Sequence, residues 1–203
     1  MLRIQVVAED VNLVDFIVPA VESIAASIPS PVDVRATEPV HGCRIAVLAD
    51  RVAAVASVAD LVIVGVDASA PGHKVRARTH RQKAQHLAGR VALPDHVSLA
   101  IAAPCVEAWL LADPVAFSEG LTVAVGGFSK PAEWPVPRSE LDAKSSLGRA
   151  VHEGVGGSLP RAGFEFARDI VGRARLRDSS NVSLAAWSKD LDRRLRALRA
   201  AAT

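Results

Sequence analysis

The period of the hydrophobic positions changes several times along the chain. Residues 2–8 (Leu-Arg-Ile-Gln-Val-Val-Ala) alternate and then turn wholly apolar, the pattern of a strand entering a sheet interior. From Val11 to Ile28 the apolar residues Val14, Ile17, Val18, Val21, Ile24, Ala25 and Ile28 recur at three and four, which predicts a helix with one buried face, stopped by Pro29 and Pro31. A short alternating strand is expected at Val32-Asp-Val-Arg, and the Ala-rich stretch 43–57 is helical in composition. The clearest strand is Asp60-Leu-Val-Ile-Val-Gly-Val-Asp67, a β-branched apolar run that ends in a carboxylate and the breakers Ser69-Ala-Pro-Gly72. Such a run usually has both faces covered, as in parallel sheets wound by helices.

A basic helix is expected at 73–90, followed by a fourth strand, Val97-Ser-Leu-Ala-Ile-Ala-Ala103. Pro104 then opens a helix over 105–113, because a proline's missing N–H costs nothing in a first turn. This alternation predicts an α/β fold with a mostly parallel sheet flanked by helices. Past Pro114 the character changes. Gly120, Gly126, Gly127, Pro131, Pro135 and Pro137 mark a turn-rich connection, and helical stretches are expected near 142–154, 160–177 and 182–201. The last carries Leu184, Trp187, Leu191, Leu195 and Leu198 on one stripe. The organisation read from these patterns is an α/β unit over 1–119, a Gly/Pro-rich connection over 120–141, and a C-terminal helical extension over 142–203 packed on that unit.

Composition narrows the class. With 203 residues, 50% apolar and 23% charged, the chain can bury a real core and is not disordered as a whole. A net charge of +2 makes no global case for nucleic acid, but the halves differ. Residues 1–129 hold 10 Lys+Arg against 13 Asp+Glu, and residues 130–203 hold 14 against 9. An acidic front and a basic tail hint at two jobs, with solvated Arg-rich helices as the plainer account. Cys43 and Cys105 show neither a disulfide framework nor a zinc spacing. The first residues carry no charged leader with an apolar core, and no apolar run approaches the roughly 18 residues of a membrane span. A cytoplasmic protein without a membrane partner is therefore expected.

In open parallel sheets, ligands bind beyond the carboxyl ends of the strands. Glu9 and Asp10 follow the first strand, and Asp67 ends the third. Carboxylates gathered there suit Mg²⁺, which is held by one or two of them together with waters and phosphate oxygens. An acid at a strand end also serves as a helix cap or turn residue, and both readings stand at this point. Glu107 likewise has two: a group close enough to the crevice to bind metal or orient a water, or a first-turn carboxylate favoured by the helix dipole. Trp109 and Trp187 sit in apolar helical stripes and read as core anchors.

In the segment 73–83, Lys74, Arg78 and Arg81 share one helical face, and His73, Arg76, His80 and Lys83 lie on its neighbour. Beside an acidic metal site these cations can position a nucleic-acid backbone; otherwise they form a solvated face. Arg193, Arg194, Arg196 and Arg199 offer a second phosphate contact, although helix C-termini favour cations anyway. The first strand runs into Ala-Glu-Asp-Val-Asn, so no Gly-x-Gly-x-x-Gly phosphate cradle is present.

The order strand-Glu, helix, strand, helix, strand-Asp resembles the Toprim fold of primases, topoisomerases and related nucleases. Val7-Ala-Glu9 matches the family Glu, and Val66-Asp67-Ala-Ser69 matches its Asp-x-Asp, with Ser69 in place of the second Asp. A narrower likeness runs through Ala103-Pro-Cys-Val-Glu107-Ala-Trp109-Leu-Leu-Ala-Asp113, Asp142-Ala-Lys144 and Val182-Ser-Leu-Ala-Ala-Trp-Ser-Lys-Asp-Leu. These segments are similar to those of the RloB-related bacterial Toprim-like group. The resemblance implies a Mg²⁺- or Mn²⁺-dependent nuclease or nuclease-like subunit with Glu9 and Asp67 as metal ligands and Glu107 as a further catalytic candidate. It also implies Lys74, Arg76, Arg78, Arg81 and Lys83 as phosphate contacts, and a place in a mobile-element or anti-phage system beside an ABC-type ATPase. Ser69 removes a negative charge from the metal's surroundings, a loss worth on the order of 10–100-fold in affinity or activity. The rival expectation is a decayed subunit that binds a partner ATPase or nucleic acid without cleavage.

Overall fold

The computed structural model describes residues 1–40, 45–68, 96–128, 133–156 and 164–202. Cys43, Ser69 and the basic segment 73–90, with Lys74, Arg76, Arg78, Arg81 and Lys83, lie outside the described residues.

Strands β1 (Leu2–Ala8), β2 (Val32–Ala36), β3 (Leu61–Asp67) and β4 (Val97–Ala102) form one sheet in the order β2-β1-β3-β4. Every neighbouring pair is parallel, with Ala8 opposite Gly65 and Asp67 opposite Ala102. Parallel strands need crossovers, and helix α1 (Val11–Ala25) joins β1 to β2 while α2 (Ile45–Ala56) leads from β2 to β3. Alternation along the strands sorts the side chains to the two faces. Ile4, Val6, Ala8, Leu61 and Ile63 pack with α1, whereas Val7, Val62, Val64 and Val66 turn toward Leu48, Ala49 and Val52 of α2. Both faces of β3 are thus covered, and all seven of its residues are buried. Gly65 carries no side chain where α1 comes close; a Cβ there would collide with Ile17 Cδ1.

The molecule is an α/β protein with an all-parallel sheet flanked by helices and a C-terminal helical extension, consistent with a Toprim-like arrangement. Beyond β4 come α3 (Val106–Leu110), α4 (Pro114–Val125), α5 (Glu140–Val155), α6 (Ala167–Val171) and α7 (Val182–Ala201). Three local expectations change. Pro104 does not open a helix: it follows Ala103 through a cis peptide, and α3 begins two residues later and spans only five. The proline in a first turn is Pro114, where Asp113 caps α4 by accepting from the N–H groups of Val115 and Ala116. Gly120 lies inside α4 rather than in a turn, because α4 meets α6 there so closely that a Cβ would sit 2.8 Å from the Ile170 nitrogen. Third, the helix expected over 160–177 is reduced, within the described residues, to α6 between single 3₁₀ turns at Phe164–Phe166 and Leu176–Asp178.

The seam between sheet and extension is aromatic. Trp109 of α3 stacks on Trp187 of α7 with ring centroids 5.3 Å apart and planes 11° from parallel, and Phe16 of α1 lies 5.4 Å from Trp109. Both tryptophans are buried, so the core-anchor reading holds. Leu184, Leu191 and Leu195 continue the same buried stripe along α7.

Candidate functional site

Strand order creates the site. The chain leaves β1 toward β2 on one side and later reaches β3 and β4 on the other, so the winding reverses between β1 and β3. In parallel α/β sheets that switch point is where a crevice opens at the carboxyl ends. Glu9 directly follows β1 there, its own N–H donating to Gly65 O (3.1 Å) in continuation of the sheet ladder. Asp67 ends β3, and Ala68 N–H holds Ala102 O at 2.7 Å, which fixes the exit of β4 beside it. Three residues after Ala102 the chain enters Cys105-Val106-Glu107.

Glu9, Asp67 and Glu107 are thereby brought together, each at most 8% exposed. Glu9 Oε1 accepts from Asp67 N–H at 2.6 Å, and Asp67 Oδ1 accepts from Val106 N–H at 2.9 Å. The second oxygens of Glu9 and Glu107 are buried and have no hydrogen-bond partner among the described residues. Burial pushes the Asp67 carboxyl up to about 9, and the charges of Glu107, Asp10 and Glu9 push the same way against the single Val106 N–H. A buried carboxylate without a counter-charge is costly, so this cluster needs either a proton or a cation.

The neighbouring acids at 9 and 10 have divided two roles that the sequence left open. Asp10 is the helix cap: its Oδ1 accepts from Leu13 N–H at 2.9 Å at the start of α1. Glu9 is the residue turned to the cluster. Glu107 occupies the first turn of α3, and its charge raises the Asp67 carboxyl.

Sequence reasoning missed Cys105. The thiol is buried, donates to the Glu107 carboxylate, and is driven well above its ordinary range by burial and then by the charge of Glu107. It is therefore an S–H donor, not a nucleophile. Its signal was its place two residues before Glu107, not any pairing with Cys43. The terminal arginines also resolve: Arg193 and Arg194 pair with Asp190, and Arg196 pairs with Asp192. Two guanidinium groups share each carboxylate, since Arg177 also pairs with Asp192, so these pairs offset only part of the positive charge on α7.

Oxygen donors with unmatched lone pairs fit a hard cation, and that donor chemistry is the fit of this site to Mg²⁺ or Mn²⁺. Among the described residues, however, no three His, Cys, Asp or Glu side chains converge to hold a metal ion. Among the described residues, a cation here would rest on at most two side chains, with water and phosphate oxygens completing its shell. No helix among the described residues is long and apolar enough to cross a membrane. Comparison with family models, curated proteins and solved structures returned no match to this chain.

Proposed function

We propose that this chain is a Toprim-like, Mg²⁺- or Mn²⁺-dependent nuclease or nuclease-like subunit of the RloB-related group, acting on nucleic-acid phosphodiesters in the cytoplasm. The observation that carries the reading is the meeting of Glu9, Asp67 and Glu107 at the switch point of a parallel sheet, with two buried carboxylate oxygens unmatched. Glu9 and Asp67 are the residues that hold the cation. When bound, the cation supplies charge stabilisation at the scissile phosphate and a water activated for attack. Glu107 would present its second oxygen, unpartnered among the described residues, as a proton acceptor, and its burial would strengthen these interactions by excluding solvent. The cations of the 73–83 segment supply phosphate contacts under this reading, and an ABC-type ATPase of a mobile-element or anti-phage system is the partner it implies.

The test is nicking of plasmid DNA or of RNA with Mg²⁺ or Mn²⁺ by the wild-type chain and by Glu9→Gln and Asp67→Asn. Both substitutions should abolish turnover; cleavage indifferent to both would remove the mechanism.

One observation favours a second reading. Glu9 Oε1 and Asp67 Oδ1 both serve as clasps to backbone N–H groups, which is what a decayed site retained for architecture would keep. In that case the chain is a non-catalytic subunit that binds a partner ATPase or nucleic acid. Failure to bind Mg²⁺ or Mn²⁺ at millimolar concentration, with or without oligonucleotide, separates it from the first.

A further inference from the structure

The C-terminal extension is hydrogen-bonded to Ala103 and Trp109, the residues on either side of the segment that carries Glu107. Asn181 caps α7, its Oδ1 accepting from Ser183 N–H (3.0 Å), Leu184 N–H (3.2 Å) and Ser183 Oγ–H (2.8 Å). The other end of the same amide, Nδ2, donates to Ala103 O at 2.9 Å. Ser183 Oγ accepts from Ala103 N–H at 3.1 Å and from Trp109 Nε1 at 2.8 Å. Both backbone polar groups of Ala103, the first residue past β4, are therefore held by side chains some 80 positions later, as a neighbouring strand would hold them.

Ala103 is where the chain turns from the sheet into Cys105-Val106-Glu107. Fixing it fixes the Val106 N–H that Asp67 Oδ1 accepts, and Asp67 N–H in turn holds Glu9 Oε1. Trp109 is pinned twice by α7, by its indole N–H on Ser183 and by its ring on Trp187, which sets the rotation of the five-residue helix that carries Glu107. An isolated helix of that length has no stability of its own, so its orientation comes from these contacts.

We infer that Asn181 and Ser183 are positioning residues for the Glu9–Asp67–Glu107 site, and that the N-terminus of α7 completes that site rather than merely covering the core. This rests on the cation-binding reading above. Groups that orient the ligands of a metal typically change affinity by about 10–100-fold when removed. The variants are chosen to separate orientation from folding. Ser183→Ala removes the acceptor for Ala103 N–H and Trp109, while Ser183→Thr restores a hydroxyl. Asn181→Asp keeps a good helix cap but loses the donor to Ala103 O. Leu195→Val trims a buried residue of the same helix that touches none of this chain.

Each variant is made in the full-length chain, its melting temperature recorded, and its affinity for Mn²⁺ alone measured by electron paramagnetic resonance titration. Expected is a loss of about tenfold or more in Mn²⁺ affinity for Ser183→Ala and Asn181→Asp. Wild-type affinity is expected for Ser183→Thr, and for Leu195→Val despite its lower melting temperature. Wild-type Mn²⁺ affinity in folded Ser183→Ala and Asn181→Asp would overturn the positioning role and leave the cation reading standing. A wild-type chain that binds no Mn²⁺ overturns the cation reading itself, and the positioning role with it.

Discussion

Acidic side chains occupy two opposed environments in this protein. On α7, Asp190 and Asp192 are half-buried with guanidinium groups against them: Arg194 at 2.6 Å and Arg193 at 2.5 Å from Asp190, Arg177 at 3.1 Å and Arg196 at 3.0 Å from Asp192. At the carboxyl ends of β1 and β3, Glu9, Asp67 and Glu107 are buried together, and the hydrogen bonds they accept come from neutral N–H groups and a thiol. For Asp190, partial burial raises the carboxyl, but the hydrogen bonds from Arg194 and Arg193 outweigh it and the group ends below its ordinary value. For Asp67, burial and three like charges act in one direction, and it ends near 9. The same residue type is settled on α7 by the i, i+3 and i, i+4 spacing of its own helix. At the sheet it is left unsettled by tertiary structure. An acid whose charge has no partner among the described residues is the one that an external cation can bind.

The largest expected effect breaks this contrast at Asp67. Its pKa is raised from 3.8 to about 9 in the folded chain, so between those values the folded state keeps a proton that the unfolded state has lost. The contribution of Asp67 to the stability of the metal-free protein should therefore be full below about pH 4 and be lost as pH rises toward 9. Asp67→Asn keeps the oxygen that accepts from Val106 N–H and removes the charge. Urea midpoints at pH 5 and pH 8.5 should show a steep fall for wild type and a shallow one for the variant, which becomes the more stable of the two at pH 8.5. Parallel slopes would mean that Asp67 is not the strained acid.

The next effect is on the seam between the two regions. Trp109→Ala empties the space between Phe16 and Trp187 and frees Ser183 Oγ, and it should destabilise the fold by about 3–5 kcal/mol in chemical denaturation. A much smaller loss would show that α7 and the sheet are joined elsewhere. The smallest effect is expected from Asp190→Asn, which removes two surface ion pairs. Such pairs contribute about 0–1 kcal/mol each and fade with salt, so the variant should match wild type at 1 M NaCl. A large, salt-resistant loss would show that Asp190 is held by more than its ion pairs with Arg193 and Arg194.

The hydrophobic pattern determined most of the elements: β1, α1, β2 and α7 fall where periods of two and of three to four place them, and β3 and β4 where apolar runs do, because burial on one face or both leaves that imprint on sequence, while α2 falls on an Ala-rich stretch of helical composition. Glu9, Asp67 and Glu107 were also legible as candidates, from their positions at strand ends and in a first turn. Local competition at breakers was harder to read. Pro104 and Pro114 look alike in sequence, and only the cap by Asp113 and the packing of α4 on α6 through Gly120 show which one starts a helix. Nothing local tells Glu9 from Asp10 either. Their roles separate because β1 pairs with β3 in a register that sets Glu9 against Asp67, while Asp10 meets the open N–H groups of α1. The order of the strands, the burial of three carboxylates together, and the hold of Asn181 and Ser183 on Ala103 are contacts between residues some 40 to 80 positions apart. Periodicity records which face of an element is buried, but not against what; that partner is chosen only when the chain folds on itself.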